Sequence, residues 1–265
     1  ALVACARLGA ETQLCSLLGD DSVASNILDE LKIENVGVGG VYQKAGGNSP
    51  FSYIHVDTAG ERTIFHRSSR ALDQYAGEVD LTFLDGSQAL IVDDVYPELA
   101  RRAAAHARQL GIPVVADLIP DEGNRSLVEQ VDVLIAPQHY LRSLGDSTDT
   151  SKALESIHAL GPKTAVITLG EDGAVYSNSG STSGKIRGFK VDVVDTTGAG
   201  DSFHGGFSFG LACGWDTGKC VEFASAVAAI KCMSPGGRQG LPSPEIIKDF
   251  LTSRGSLDWS TLFAD

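Results

Sequence analysis

Four short stretches of unbroken apolar residues, Ala89–Val92, Pro113–Ala116, Val133–Ala136 and Ala165–Leu169, set the rhythm of the chain. Runs of this length without polar alternation predict strands covered on both faces. Between the first two, Leu99, Ala103, Ala107 and Leu110 recur at helical spacing, and Gly111 and Pro113 follow as stop signals, which predicts a helix over 98–110. Further helices are expected near 123–130, 151–160, 202–213, 216–233 and 243–251. Strands alternating with helices from about residue 89 onward imply an α/β fold, a Rossmann-like, mainly parallel sheet with helices on both sides. Residues 1–8 also read as helix, with Gly9 just past its end.

Residues 36–66 follow another pattern. Val38–Gln43, Phe51–Asp57 and Thr63–His66 predict short strands, separated by the turns Ala45-Gly46-Gly47-Asn48 and Ala59-Gly60-Glu61. In the second of them Phe51, Tyr53, His55 and Asp57 project to one face. The expected organisation is therefore an α/β unit made of 1–35 and 67–265, with a small β-sheet inserted at 36–66. Ser177–Gly184 is polar enough to read as a loop.

Composition narrows the partners. A net charge of −13 in 265 residues argues against nucleic acid and against an anionic membrane surface. Phosphate groups must then be held by backbone dipoles, a few cations and metal ions. No apolar run reaches membrane-spanning length. Five scattered cysteines without a Cys-x-x-Cys pair suit reduced thiols in a cytoplasmic compartment, with a plastid location left open.

The chemistry concentrates in Val191-Asp-Val-Val-Asp-Thr-Thr-Gly-Ala-Gly-Asp201. The β-branched residues read as a strand running into Gly198-Ala199-Gly200, after which Asp201 opens an amphipathic helix. A helix start leaves N–H groups unpaired and carries the positive end of the macrodipole, a ready anion site. Small residues let an anion approach the backbone closely. A carboxylate placed there repels phosphate unless it serves the reaction, for instance by taking a proton from an attacking hydroxyl. Asp201 is the expected general base, with the amides of Gly198, Ala199, Gly200 and Asp201 as oxyanion-type donors. Asp93, Asp94 and Asp117 end strands at the carboxyl edge of the sheet, where ligands bind in open α/β folds. His204 reads as a packing residue.

With Asp195-Thr196-Thr197 before it and Phe203-His204-Gly205-Gly206-Phe207 after it, this stretch resembles the signature of the PfkB (ribokinase-like) carbohydrate kinases. Val166-Ile-Thr-Leu-Gly-Glu-Asp-Gly173 is a second match. The continuation Gly210-Leu-Ala-Cys-Gly-Trp215 looks nearest to ketohexokinase-like and sulfofructose-kinase-like members. The resemblance implies a ribokinase-like fold and an ATP-dependent sugar kinase that phosphorylates a hydroxymethyl group of a ketose or pentose. It places Thr168, Gly170 and Gly173 against ATP together with Gly198 and Gly200. It also implies a monovalent cation, usually K⁺, near Asp195, Thr197, Ser234, Gly236 and Gly240. The family's Asn-x-x-Glu, which orders water around Mg²⁺, is matched only by Gln138, because Leu141 stands at the Glu position. The family's first strand and Gly-Gly-x-x-x-Asn sugar segment are expected upstream of Ala1. Residues 36–66 correspond to the family's β lid, through which a homodimer is expected. Two rival expectations are a nucleoside kinase of the same fold and a catalytically silent interaction protein.

Overall fold

The apolar runs become the centre of one sheet because every residue in them has somewhere dry to point. The computed structural model describes residues 1–56, 62–143, 149–179, 183–255, 257–259 and 262–263. In chain order the elements begin with α1 (Leu2–Arg7), β1 (Thr12–Gly19), α2 (Ser22–Ile33), β2 (Val36–Lys44), β3 (Phe51–Val56) and β4 (Arg62–Arg67). Then come β5 (Leu90–Val92), α3 (Pro97–Leu110), β6 (Val114–Asp117), α4 (Arg125–Val128), β7 (Val133–Pro137), α5 (Tyr140–Ser143) and α6 (Thr150–Ala159). The remainder is β8 (Thr164–Thr168), β9 (Ala174–Asn178), β10 (Ser183–Ile186), α7 (Ala199–Ala212), α8 (Thr217–Cys232) and α9 (Pro244–Arg254).

The main sheet has the order β10-β9-β8-β7-β6-β5. Its four strands β5 to β8 run parallel, and β9 and β10 are antiparallel to their neighbours. Side chains alternate between its faces. Val114, Ala116, Leu134, Ala136, Ala165 and Ile167 pack with the alanine face of α3 and with α4 and α6. Val115, Val133, Ile135 and Val166 meet Phe203 and Phe207 of α7 and Val221 and Ala224 of α8. A sheet buried on both faces needs no polar alternation, which is why the sequence shows none. The fold is thus the expected α/β arrangement, helices flanking a mostly parallel sheet.

Two smaller sheets complete it. β1 and β2 pair in parallel, and β3 and β4 form an antiparallel hairpin in which Tyr53 faces Phe65. The strand expected over 38–43 is β2 and therefore belongs to the β1 pair, whereas the hairpin stands by itself. Asp57 and the turn at 59–61 lie outside the described residues. Arg67 ties the hairpin to the main unit, donating to Asp21 Oδ2 at 3.0 Å and to the Ser49 carbonyl at 2.7 Å. Asp21 in turn caps α2 through Ala24 N.

Two local expectations fail. Val191–Val194 is not a strand: Val193 and Val194 are exposed, no ladder partner lies alongside, and the N–H groups of Val194 and Asp195 donate to the Cys232 carbonyl at the end of α8. β-propensity without a neighbouring edge cannot make a strand. Ser177–Gly184 is no plain loop either, since Ser177 and Asn178 close β9 and Ser183 and Gly184 open β10; residues 180–182 lie outside the described residues.

Small residues set how closely α7 is packed. A Cβ on Gly205 would come within 2.6 Å of the Ala1 carbonyl oxygen, and one on Gly206 within 2.9 Å of Ala224 Cα. The pair lets α1 and α8 lie against α7 from two sides, which fixes the start of α7 against the carboxyl edge of the sheet.

Candidate active site

α7 begins one residue after a glycine that only glycine can supply comfortably. Gly198 is its N-cap in the left-handed region, φ 77° and ψ 10°. A Cβ there would also approach the Gly237 carbonyl oxygen at 2.8 Å. Asp201 therefore does not open the helix, as the sequence suggested, but sits in its first turn. No side chain caps this end. The amide of Ala199 donates to the Thr196 carbonyl at 3.1 Å, and that of Ser202 to the Gly198 carbonyl at 2.9 Å. The amides of Gly198, Gly200 and Asp201 find no acceptor among the described residues. Gly200 also has open space where a Cβ would stand.

Those amides border a pocket of about 250 Å³ whose walls include Asp117, Pro137, Thr168, Thr196, Asp201 and His204. No lysine or arginine among the described residues lines it. A larger cleft of about 1160 Å³ adjoins it, reaching between β1 and β5. Asp117 and Asp201 line both spaces. The Asp201 side chain is 66% exposed. A solvated carboxylate at the junction of two cavities can face a group in either.

The acidic neighbours are unequal. Asp93 lines the larger cleft, and loss of solvent pushes its carboxyl above the ordinary range; the Val95 amide opposes this, while Asp117, Asp94 and Asp201 add to it. Asp117 is likewise pushed up by desolvation, pulled back by His204, and pushed again by Asp201. His204 is buried, with Nδ1 2.9 Å from the Gly200 carbonyl and Nε2 3.4 Å from Asp117 Oδ1. It is a packing residue by burial, yet it touches the pocket, which its sequence context did not reveal. Its signal was positional: it stands three residues after Asp201, close to the same helix face.

The other predicted residues fall into three groups. Thr168 lines the smaller pocket, and Gln138 directly follows Pro137 of its wall. Gly170 and Gly173 lie beyond that wall in the turn after β8. Gly173 is at φ 90°, where a Cβ would come within 2.1 Å of the Ile186 carbonyl oxygen. The third group joins two loops beside the start of α7. Asp195 accepts from the Thr197 amide at 2.8 Å and from the Gly236 amide at 2.8 Å. These bonds, those from Thr197 first, hold its carboxyl down at about 2. Gly240 lies against Ser234 and the Lys231 carbonyl. The fully buried Lys231 donates its ammonium to the Asp195 carbonyl at 2.8 Å, a contact the sequence reading missed. A lysine within the apolar run Ala228-Ala-Ile-Lys-Cys232 was the available signal, because buried lysines need a partner.

Donor chemistry bears on the metal. Among the described residues no group of three His, Cys, Asp or Glu side chains could hold a metal ion, and Leu141, at the position of the family's Glu, is buried. A divalent ion fits here only if nucleotide phosphates and water supply most of its ligands. No helix among the described residues is long and apolar enough to cross a membrane.

The chain is similar over most of its length to known proteins. A family model described as pfkB family carbohydrate kinase matches residues 1–244. Ribokinase of Bacillus subtilis is 28% identical over 264 residues, spanning 94% of this chain and 85% of the relative. Among solved structures, ribokinase from Thermotoga maritima has a TM-score of 0.84 at 25% identity, covering 95% of this chain and 85% of that one. Ribokinase from Arabidopsis thaliana, complexed with ribose and ATP, shares the fold with a TM-score of 0.83 at 21% identity, covering 94% and 85%. An uncapped helix start beside an exposed carboxylate thus sits in a fold and a sequence with one common description, and the chain belongs to the pfkB family of carbohydrate kinases.

Proposed function

We propose that this kinase transfers the γ-phosphoryl group of ATP to a hydroxymethyl group of a ketose or pentose. The observation that carries the reading is the position of Asp201, at the junction of the smaller pocket and the larger cleft and in the first turn of an uncapped helix. ATP phosphates enter the smaller pocket against the amides of Gly198, Gly200 and Asp201, while Ala199, whose amide is engaged by Thr196, adds its peptide dipole. The acceptor sugar lies beside Asp201, where that carboxylate faces the larger cleft. Asp201 takes the proton from its hydroxyl as that oxygen bonds to the γ-phosphorus, and the bond from the γ-phosphorus to the β–γ bridging oxygen breaks to release ADP. The amides stabilise charge on the moving phosphoryl group, as preorganised donors do. Thr168 and Gln138 stand beside the phosphates. Gly170 and Gly173 shape the turn next to the nucleotide.

Mg²⁺, when bound, would neutralise charge on the ATP phosphates, and Gln138 would order its water. The junction of the 195–197 and 234–240 loops is the proposed site for K⁺, with the Asp195 carboxylate and the carbonyls of Thr197, Ser234, Gly236 and Gly240 around it. Lys231 already brings one positive charge there, so titration with potassium against choline salts measures what K⁺ adds. Residues 36–66 act as the lid over the sugar. The exposed Phe51, Tyr53 and Phe65 of its hairpin form the surface through which two copies pair, which sedimentation of a Tyr53→Ser variant tests.

The ribose and ATP held by the Arabidopsis ribokinase, and the ribokinase of B. subtilis as a relative, support this choice of substrates. A phosphotransfer assay with ATP against fructose, ribose and a set of nucleosides decides it. Turnover on a free sugar is expected; turnover on nucleosides alone would replace the sugar reading with a nucleoside kinase, and ATP binding without turnover on any acceptor would leave an interaction protein.

A further inference from the structure

Both ring nitrogens of His204 face acceptors. Nδ1 is 2.9 Å from the Gly200 carbonyl oxygen; Nε2 is 3.3 Å from the Ile135 carbonyl oxygen and 3.4 Å from Asp117 Oδ1. A neutral imidazole carries one N–H and one lone pair. With Nδ1–H donated to Gly200, the Nε2 lone pair would face a carbonyl and a carboxylate in a buried place, an arrangement of like dipoles that burial makes costly. One more proton removes the conflict, either on Nε2 or on the Asp117 carboxyl. The residues do not say which, and the charge is the same in both cases: the pair is neutral.

That neutrality matters because of where the pair stands. Asp117 and His204 both border the small pocket at the start of α7, and no lysine or arginine among the described residues lines it. An ionised Asp117 without compensation would oppose phosphate there. We propose that His204 and Asp117 hold one proton in common and so present an uncharged wall to the nucleotide phosphates, and that loss of this proton weakens nucleotide binding. The inference rests on the nucleotide reading of the pocket given above. It assigns His204 no contact with the reacting atoms; His204 is a positioning residue that acts through Asp117.

The surroundings favour retention of the proton. The charged groups facing the pair are Asp201 on its own helix and Asp94 and Asp93 after β5. β7 and β8 contribute the Ile135 carbonyl, Pro137 and Thr168 without charge. Those three carboxylates make a further negative charge at Asp117 unfavourable. Desolvation raises the affinity of the Asp117 carboxyl for a proton in the same direction.

The test is a calorimetric titration of Mg-ADP into the full chain and its variants across pH 6 to 9. The wild type should bind more weakly as pH rises. His204→Gln should bind roughly tenfold more weakly at pH 7, the scale of one unit charge a few ångströms away in a partly screened site. Asp117→Asn should flatten the pH profile, and the double variant His204→Gln/Asp117→Asn should recover most of the affinity lost by His204→Gln. A merely structural histidine would not be rescued by neutralising Asp117. The proposal is overturned if the double variant binds as weakly as His204→Gln, or if Asp117→Asn keeps the wild-type pH profile; the second arm decides even where His204→Gln does not fold. Absence of Mg-ADP binding by the wild type at every pH would instead sink the nucleotide reading of the pocket, and this inference with it.

Discussion

Two consecutive helices, α7 and α8, begin under opposite rules. α8 starts at Asp216, whose carboxylate accepts from the Lys219 amide at 3.0 Å and satisfies one of its orphan donors. α2, α6 and α9 are closed in the same way by Asp21, Asp149 and Ser243. Even α3, with no cap in its own sequence, borrows Asp73, which accepts from the Glu98 and Leu99 amides. α7 has neither a local nor a borrowed cap. A helix end left uncapped forgoes about 1 kcal/mol. In a chain that caps its other long helices, that omission marks the start of α7 as reserved for something the chain does not itself contain. The comparison separates by geometry a carboxylate that caps its own helix from the one proposed to act as general base. Asp216 points its oxygens at its own helix, whereas Asp201 holds its own over two cavities.

The strongest way to break this comparison is Asp201→Asn. If Asp201 serves the reaction, turnover should fall by about 10²–10⁴-fold, the usual worth of a positioned general base. Its side chain is mostly exposed, so the melting temperature should barely move. Steady-state phosphotransfer and a thermal melt on one preparation check both halves. Near-normal kcat would return Asp201 to the ordinary acidic first turn that many helices have.

Next in size is Gly200→Ala. Nothing occupies the position its Cβ would take, and alanine is favoured over glycine inside a helix by about 1 kcal/mol. The fold should therefore be unharmed or slightly stabilised. If phosphate must approach the Gly200 amide closely, kcat/KM for ATP should nonetheless drop by roughly tenfold or more, as expected for weakening one preorganised donor. The same change at Gly198 would confound the two effects, because its backbone is left-handed and the Gly237 carbonyl crowds it.

These experiments also show which links the sequence carried. β5 to β8 were legible because a strand buried on both faces must be apolar throughout, so Val133–Ala136 and Ala165–Leu169 announced themselves. β1 was not, since Thr12-Gln-Leu-Cys-Ser mixes polar and apolar residues. Val191–Val194 misled in the opposite direction: local β-branching was strong, but the edge needed to complete a ladder is absent. At the site, Gly198–Asp201 was legible because small residues and a carboxylate at a helix start have few other uses together. Asp117 was legible as a strand end at the ligand edge of the sheet, but its contact with His204 was not, and neither was Lys231, because what matters there is which distant backbone oxygen or carboxylate is met. Asp195 lies thirty-six residues before Lys231, and no local pattern joins them.

A milder test sharpens the other side of the comparison. Asp216→Ala removes an ordinary cap and should cost about 1 kcal/mol of stability, read as a lowered midpoint in urea. Its kcat should match the wild type, since Asp216 faces the opposite end of the molecule's business: it serves only the first turn of α8. A loss of turnover without loss of stability would mean that caps and functional carboxylates are not separable here.

The smallest expected effect concerns Asp195, which is intermediate between the two kinds. Like Asp216 it accepts backbone amides, from Thr197 and Gly236, but the loops it joins flank the start of α7. Its folded-state carboxyl titrates at about 2 rather than at its ordinary 3.8. A group with a lowered native pKa binds fewer protons in the native than in the unfolded chain, so its contribution is complete above about 3.8 and is lost as pH falls through about 2. Solvent screening keeps that contribution modest. Asp195→Asn should therefore be less stable than the wild type at pH 5 to 7, and the two urea midpoints should converge as pH falls from 3.8 toward 2. A gap that stays constant to pH 2 would mean the carboxylate charge does not hold the two loops together, leaving the Lys231 ammonium on the Asp195 carbonyl as the tie that remains after the side chain is neutralised.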